Sequence, residues 1–171
     1  KQTGTVVSNE SSEIIRMLNS AFDQVGATGP DYYPEALRAE MAPLNDRIYN
    51  TINNGVYKCG FATSQEAYNQ SAQELFDTLD MLEERLATRR YLMGETLTEA
   101  DWRLFVTLIR FDPVYVGHFK CDLHRLVDYT NLWAYTRELY QMPGIADTIQ
   151  MEYVRGHYYG SHESINPCRI V

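Results

Sequence analysis

Two segments about a hundred residues apart combine phenols, amides and glycines in a way that suits a small polar-aromatic ligand. The first covers residues 49–61 and contains Tyr57, and the second covers residues 153–162 and contains Tyr158. A phenol offers apolar area and one hydroxyl that donates or accepts, so it can hold an aromatic ring that carries oxygen. Neither segment has the period of an ordinary buried helix or strand. We therefore predict that both phenols line a binding pocket.

The alternative for these two tyrosines is a purely structural place in the hydrophobic core, the usual position of half-buried phenols. Tyr57 follows Asn54 and Gly55, a pair that predicts the end of a helix. Tyr158 lies in a stretch rich in glycine and histidine that we interpret as non-helical. Both positions favour a pocket over the core.

Other groups near the second segment could take part in chemistry, but their pattern is less specific. Arg155 and His157 adjoin Tyr158 and could line the same pocket, or Arg155 could simply pair with a surface carboxylate. A zinc site would need ligands at a recognised spacing, and none is found. We predict no metal site, although the stretch also contains His162, Glu163 and Cys168.

The cysteines and the charge narrow the class of protein. Cys59, Cys121 and Cys168 are odd in number and scattered, so we expect inert thiols and a reducing, cytoplasmic compartment. Lys58 adjoins Cys59 and could lower the pKa of its thiol. A formal charge of −8 argues against a nucleic-acid binder. No apolar run approaches the ~20 residues that span a bilayer, so we expect no membrane partner.

The elements that must position these groups are mainly helices. Residues 1–4 indicate a turn, residues 5–8 one short strand, and a helix begins at about Ser11. A linker rich in glycine and proline follows at residues 27–34. A single strand cannot satisfy its own backbone groups, so we expect its sheet partners upstream or on another chain.

Beyond the linker the chain is predicted to be almost entirely helical. One helix kinks at Pro43 and stops at Gly55. Thr63 and Glu66 predict a capping box for the next helix. That helix carries a narrow apolar seam, typical of lengthwise packing on other helices, formed by Tyr68, Ala72, Leu75, Leu79, Leu82 and Leu86.

A second capping box is predicted further along the chain. Thr98 can cap the amide of Asp101, and the Asp101 carboxylate can accept from the Thr98 N–H in return. Two shorter helices follow at about residues 132–140 and 143–154, and the chain is predicted to be irregular from Gly156.

This order of strand, helix, linker and helical domain resembles that of the glutathione transferases. Residues 10–14 (Glu-Ser-Ser-Glu-Ile) resemble the start of the third helix of their thioredoxin-like domain, and residues 97–101 (Leu-Thr-Glu-Ala-Asp) resemble the capping box of their central helix. Residues 53–58 (Asn-Asn-Gly-Val-Tyr-Lys) and 155–162 (Arg-Gly-His-Tyr-Tyr-Gly-Ser-His) are similar to the glutathionyl-hydroquinone reductases, the Xi class of that family. Residues 164–167 (Ser-Ile-Asn-Pro) fit the same class.

The resemblance implies a mainly α fold: the helical bundle of a transferase C-terminal domain, preceded by the last strand and helix of a thioredoxin-like α/β domain. The expected boundaries are 1–26 for the incomplete glutathione-binding domain, 27–34 for the linker, 35–160 for the all-helical domain and 161–171 for an irregular tail. The family's catalytic cysteine lies in a Cys-Pro motif with no match here. We therefore expect this chain to be inactive alone and to form part of an active enzyme.

The resemblance also implies the chemistry. A cysteine thiolate attacks the sulfur of a glutathionyl-hydroquinone, and a second glutathione then releases oxidised glutathione. Tyr57 and Tyr158 would act as catalytic residues that contact the hydroquinone oxygens. Glu10 and Ser11 would bind the γ-glutamyl end of glutathione, the co-substrate. Without the resemblance, the ordinary interpretation of Glu10 and Ser11 is a helix N-cap region.

Two other functions are compatible with the sequence. The chain could be a non-catalytic transferase-like module for dimerisation or binding, or part of a transferase of another class that conjugates glutathione to electrophiles. The phenol-rich tail favours the reductase, because a scaffold has no need for it. By the same resemblance we expect a homodimer formed through the helical domain, with glutathione and aromatic quinone or hydroquinone conjugates as partners.

Overall fold

Helices form nearly all of the regular structure in the computed structural model, which describes residues 4–171. In chain order the α-helices are α1 (Ser11–Ser20), α2 (Arg38–Ile48), α3 (Gly55–Gly60), α4 (Gln65–Leu86), α5 (Glu99–Arg110), α6 (Val116–His118), α7 (Thr130–Gln141) and α8 (Met151–Ser161). Two π-helical turns precede α3 and α6, at Tyr49–Asn53 and Phe111–Tyr115. Single 3-10 turns lie at Asp23–Val25, Glu35–Leu37, Leu126–Asp128 and Ala146–Thr148. The predicted mainly α fold is confirmed.

The core is built around α4, which packs against α3 and α7. The predicted seam of α4 faces this core, with Tyr68 partly buried and the other five side chains buried. The cap of α4 differs from the prediction by one residue. Ser64, not Thr63, has the extended backbone of an N-cap, and its hydroxyl accepts from the Ala67 N–H at 3.2 Å. The capping box predicted from Thr63 is therefore wrong.

The capping box at the start of α5 is confirmed. The carboxylate of Asp101 accepts from the Thr98 N–H at 2.8 Å and from the Thr98 hydroxyl at 3.0 Å. It also accepts from the Leu92 N–H and from the Tyr135 hydroxyl, both at 2.9 Å. Asp101 is completely buried, and burial raises the pKa of its carboxyl group although these donors oppose the shift. One local capping device thus also joins α5 to the segment before it and to α7.

The helix predicted to stop at Gly55 does not stop there. α2 passes through Pro43, widens into the π-helical turn and continues directly into α3. Asn54 keeps a right-handed helical backbone (φ −88°, ψ −25°), and its N–H donates to the Tyr49 carbonyl at 2.9 Å. An Asn-Gly pair ends a helix when its glycine adopts positive φ, and Gly55 does not. The apolar stripe stays buried across the pair, at Ile52, Val56 and Cys59, and this packing maintains the helix.

The prediction of an irregular chain from Gly156 is also wrong. α8 begins eight residues after the predicted start at residue 143 and extends to Ser161, through both Gly156 and Gly160. The Tyr158 side chain of α8 is buried against Tyr115, with the ring centroids 5.5 Å apart. Tertiary packing thus outweighs the low helix propensity of glycine.

The segment before α1 forms no strand within the described residues. Residues 5–8, predicted as a strand, have a bend followed by irregular backbone and are not assigned as a strand within residues 4–171. The turn predicted at residues 1–4 lies outside the described residues except for Gly4. No helix of residues 4–171 combines the length and apolar character that crossing a membrane requires.

α1 is joined to the helical body through polar contacts. Arg16 forms an ion pair with the buried carboxylate of Glu99, at 2.6 Å, and its guanidinium lies 4.2 Å from the ring centroid of Tyr33. Asn19 accepts from the Tyr32 N–H at 2.9 Å. Apolar side chains of α1 are exposed at Ile14, Ile15, Leu18 and, just beyond the helix, Phe22.

Candidate phenol pocket

The two predicted tyrosines meet. α3 presents Tyr57 and α8 presents Tyr158, and their hydroxyl oxygens lie 2.6 Å apart. The rings are tilted by 40° with centroids 6.3 Å apart. Two segments separated by a hundred residues therefore contribute to one site.

Both tyrosines lie on helices, so the argument from an irregular backbone was wrong although the juxtaposition was anticipated. Tyr57 is 38% exposed and Tyr158 is 8% exposed. Tyr57 is therefore partly open to solvent, whereas Tyr158 lies in the core behind it, and their predicted role in a binding pocket stays a prediction. The exposure of Tyr57 could not be predicted from the sequence, because its helical phase depends on the π-helical turn before α3.

A third phenol completes the cluster. Tyr115, in the π-helical turn before α6, places its hydroxyl 2.9 Å from that of Tyr158. Sequence reasoning missed Tyr115, since no recognised motif contains it. The available signal was weak: Tyr115 and Phe119 form an aromatic pair at the spacing of one helical turn, and the structure stacks them at 5.5 Å.

The electrostatics of the cluster favour protonated phenols. Burial, together with the hydrogen bond to Tyr158, raises the pKa of Tyr57 to about 12. Burial raises the pKa of Tyr115 further. At neutral pH Tyr57 is therefore a hydrogen-bond donor and not a base, which is the protonation state needed to stabilise charge on a ligand oxygen.

Aromatic rings surround the cluster. Phe119 lies 5.3 Å from the ring of Tyr57 and 5.5 Å from that of Phe61. Phe61 is 46% exposed, and the ring of His162 packs against it at 5.2 Å in a T-shaped arrangement. This combination of half-exposed aromatic faces and a phenol donor can hold a flat ring that bears oxygen atoms.

The histidines near the cluster pair with each other. His118 is buried, and its Nε2 lies 3.0 Å from Nδ1 of His162. Burial lowers the pKa of both rings, so the neutral forms are favoured. His157 is exposed, with its ring 5.5 Å from that of Tyr158, and Arg155 is exposed on the same helix. Within residues 4–171, no group of three or more histidine, cysteine or acidic side chains could hold a metal ion.

The cysteines are free thiols in the described chain. Cys59 and Cys121 are buried, and Cys168 is exposed. Contact with the Cys121 thiol, and also the charge of Lys58, lowers the pKa of Cys59, whereas the same contact and burial raise the pKa of Cys121. The sequence indicated the effect of Lys58 but not the proximity of a second thiol.

Glu10 and Ser11 lie at the start of α1. Glu10 occupies the N-cap position with an extended backbone (φ −82°, ψ 119°), and its side chain makes no capping hydrogen bond. The Glu10 N–H donates to the Ser8 hydroxyl at 3.1 Å. No hydrogen bond or ring contact within residues 4–171 joins Glu10 or Ser11 to the phenol cluster. Their predicted role in binding glutathione stays a prediction.

Comparison with known proteins points to one family. Residues 65–138 match the glutathione S-transferase C-terminal domain. The chain is 57% identical over 171 residues to glutathionyl-hydroquinone reductase YqjG of Escherichia coli. This match covers all of the chain and 52% of the relative. Over its full length, the chain is similar to glutathione transferases. The chain is also 56% identical over 166 residues to glutathionyl-hydroquinone reductase PcpF of Sphingobium chlorophenolicum, and this match covers 97% of the chain and 53% of the relative.

Solved structures of transferases match the fold over the whole chain. The glutathione-bound structure of Escherichia coli YqjG superposes with a TM-score of 0.96 and 57% identity, over all of this chain and 56% of that one. The structure of glutathione transferase Xi 1 from Trametes versicolor superposes with a TM-score of 0.95 and 50% identity, over all of this chain and 60% of that one. The predicted resemblance to the Xi class is confirmed. The chain spans about half the length of the curated relatives that it matches.

Proposed function

We propose that this chain is the helical portion of a glutathionyl-hydroquinone reductase and that it supplies the hydroquinone pocket. The observation that carries the proposal is the 2.6 Å hydrogen bond between Tyr57 and Tyr158 at an edge lined by aromatic rings. Relatives with 57% and 56% identity bear the name of that enzyme. Glutathione is the proposed co-substrate, since the solved structure of one of these relatives is glutathione-bound.

In the proposed reaction, a thiolate of the whole protein attacks the sulfur of the conjugate. The new sulfur–sulfur bond joins the protein to glutathione, the carbon–sulfur bond breaks, and the electron pair stays with the ring as charge moves onto its oxygen. Tyr57, supported by Tyr158, donates to that oxygen. The ring carbon takes up a proton and the hydroquinone leaves. A second glutathione thiolate then cleaves the mixed disulfide and releases oxidised glutathione.

The attacking thiolate is not assigned to any cysteine of this chain. Cys59 and Cys121 are buried, and none of the three cysteines occupies a Cys-Pro motif. We therefore expect the thiolate on a thioredoxin-like portion of the whole protein. Glu10 and Ser11 are the proposed contacts to the γ-glutamyl end of glutathione, because an N-terminal helical turn without a side-chain cap offers N–H groups to a carboxylate.

Replacement of Tyr57 in the whole protein tests the proposal. The Tyr57→Phe variant keeps the ring and removes the donor, so we expect kcat for a glutathionyl-hydroquinone to fall roughly 100-fold, as for loss of one transition-state donor. Tyr153→Phe is the matched control: Tyr153 is 76% exposed on α8, and its variant should keep the parental kcat.

Unchanged turnover of Tyr57→Phe would contradict the pocket assignment. Glutathione conjugation of an electrophile by the parental protein, with no deglutathionylation of the hydroquinone conjugate, would instead indicate a transferase of another class. Both assays use the same protein and the same co-substrate, so their outcomes are directly comparable.

We also propose that the whole protein is a cytoplasmic homodimer that pairs through the helical domain. The cysteines support a reducing compartment, since all three are free thiols within the described residues. Cell fractionation measures the compartment, and recovery in a secreted or membrane fraction would contradict it. The dimer is proposed from the family resemblance.

A further inference from the structure

Tyr115 is the buried end of the phenol cluster. Its side chain is 2% exposed, against 8% for Tyr158 and 38% for Tyr57. The Tyr115 hydroxyl lies 2.9 Å from that of Tyr158, which lies 2.6 Å from that of Tyr57. These two hydrogen bonds connect the three hydroxyls from the core towards solvent, and each hydroxyl can donate one hydrogen bond and accept another.

Burial favours one donor–acceptor direction for the two hydrogen bonds. A buried hydroxyl whose proton has no acceptor loses its hydration without compensation. If Tyr115 donates to Tyr158 and Tyr158 donates to Tyr57, this cost is avoided. The proton of Tyr57 is left over at the exposed end, where a ligand can accept it. In the reverse arrangement Tyr57 donates inward, and the proton of Tyr115 is left in the core.

We propose that Tyr115 is a positioning residue that sets this direction of hydrogen bonding, so that Tyr57 presents its proton to the ring oxygen of the substrate. The inference rests on the proposed reductase function, because Tyr115 acts through Tyr57. Tyr115 is too deeply buried to contact the ring itself. Its place is fixed by Phe119, which stacks on it with an interplanar angle of 16°.

The chain of donors also strengthens the last hydrogen bond. As negative charge develops on the substrate oxygen, it polarises the Tyr57 hydroxyl, and each donor behind it responds in turn. Removal of the first donor leaves the other two phenols in contact but lets Tyr57 donate to Tyr158. Tyr57 then presents its proton to the pocket in only part of the population.

The test is Tyr115→Phe in the whole protein, assayed for reduction of a glutathionyl-hydroquinone. We expect kcat to fall about tenfold, as for loss of a modest hydrogen-bond contribution, with KM changed less than about twofold. Tyr129→Phe is the control, because Tyr129 is likewise buried, at 8% exposure, and its hydroxyl donates to Asp80 at 2.7 Å, outside the cluster. The control should keep the parental kcat.

A double-mutant cycle separates a role through Tyr57 from a general structural one. In the Tyr57→Phe background, Tyr115→Phe should cause no further loss of kcat. The proposal is overturned if a tenfold loss persists in that background, or if Tyr115→Phe alone matches the control. Full activity of Tyr57→Phe itself would overturn the pocket assignment first, and this inference with it.

Discussion

At the scale of residues, Asp101 and Tyr57 show how burial and hydrogen bonding determine what one polar group does. Asp101 is completely buried, and its two oxygens accept from four donors on Thr98, Leu92 and Tyr135. Tyr57 keeps its proton because burial raises its pKa to about 12. The Asp101 carboxylate is therefore an acceptor that stabilises the fold, and Tyr57 keeps a hydroxyl proton that it can donate to a ligand.

We predict that Asp101→Ala lowers the free energy of unfolding by about 3 kcal/mol or more, because several buried donors lose their acceptor at once. Asp77→Ala is the comparison, since Asp77 is exposed on α4 and its loss should cost less than about 0.5 kcal/mol. Urea denaturation of the whole protein measures both. An equal effect of the two substitutions would show that the Asp101 network contributes little.

Sequence could predict those residue-scale features whose partners are local. Thr98 and Asp101 are three positions apart, so their capping box was recognisable from spacing alone. Tyr115 and Tyr158 are 43 positions apart, and Arg16 and Glu99 are 83 apart. No local pattern encodes such contacts, and they become visible only when the helices are assembled.

At the scale of elements, the close approach of α3 to the segment after α6 shapes one side of the phenol cluster. A Cβ placed on Gly60 would lie 2.2 Å from Cδ1 of Phe119, a fully buried side chain. Phe119 in turn lies against Tyr57 and Tyr115. Gly60 therefore has a packing role at this position, and the placement of that side of the cluster depends on it.

We predict that Gly60→Ala displaces Phe119 and costs roughly 1–3 kcal/mol of stability, as overpacking does. Gly55→Ala on the same helix is the control, because its Cβ would meet Leu75 at an ordinary 3.8 Å. That control should be neutral or stabilise by up to about 1 kcal/mol, the helix preference of alanine over glycine. Thermal unfolding of both variants decides, and a destabilised Gly55→Ala with an unaffected Gly60→Ala would reverse the assignment.

The prediction of elements failed where glycine was given too much weight. Gly55, Gly156 and Gly160 were interpreted as signs of a helix stop or an irregular chain, and all three lie within helices. Propensity is a weak preference of about 1 kcal/mol per glycine, which burial of neighbouring side chains such as Val56 and Tyr158 offsets. The long apolar seam of α4 was predicted correctly, because many residues agree in phase.

At the scale of the whole molecule, α1 contacts the helical body through polar groups and not through a shared apolar core. It contributes no buried residue, and its ion pair between Arg16 and Glu99 is its strongest link to α5. Its exposed apolar side chains are consistent with a thioredoxin-like portion that packs on it in the whole protein. The expected boundaries at residues 26 and 34 stay predictions.

The proposed homodimer gives the prediction for this scale. Because we propose a homodimer, we expect the whole protein to sediment with twice the mass of one chain. Chemical cross-linking followed by mass spectrometry should then find intermolecular links between residues of the helical domain. A single-chain mass at every concentration tested, or links confined to other parts of the protein, would contradict the proposal.

The π-helical turns at Tyr49–Asn53 and Phe111–Tyr115 have a consequence for comparing homologues. Each turn is wider than an α-helical turn by one residue, and each directly precedes an element that carries the phenol pocket. Deletion of one residue there would restore α-helical geometry and rotate everything that follows by about 100°. A one-residue gap at either position in an aligned homologue would therefore indicate that Tyr57 or Phe119 points elsewhere, even where every aromatic residue is retained.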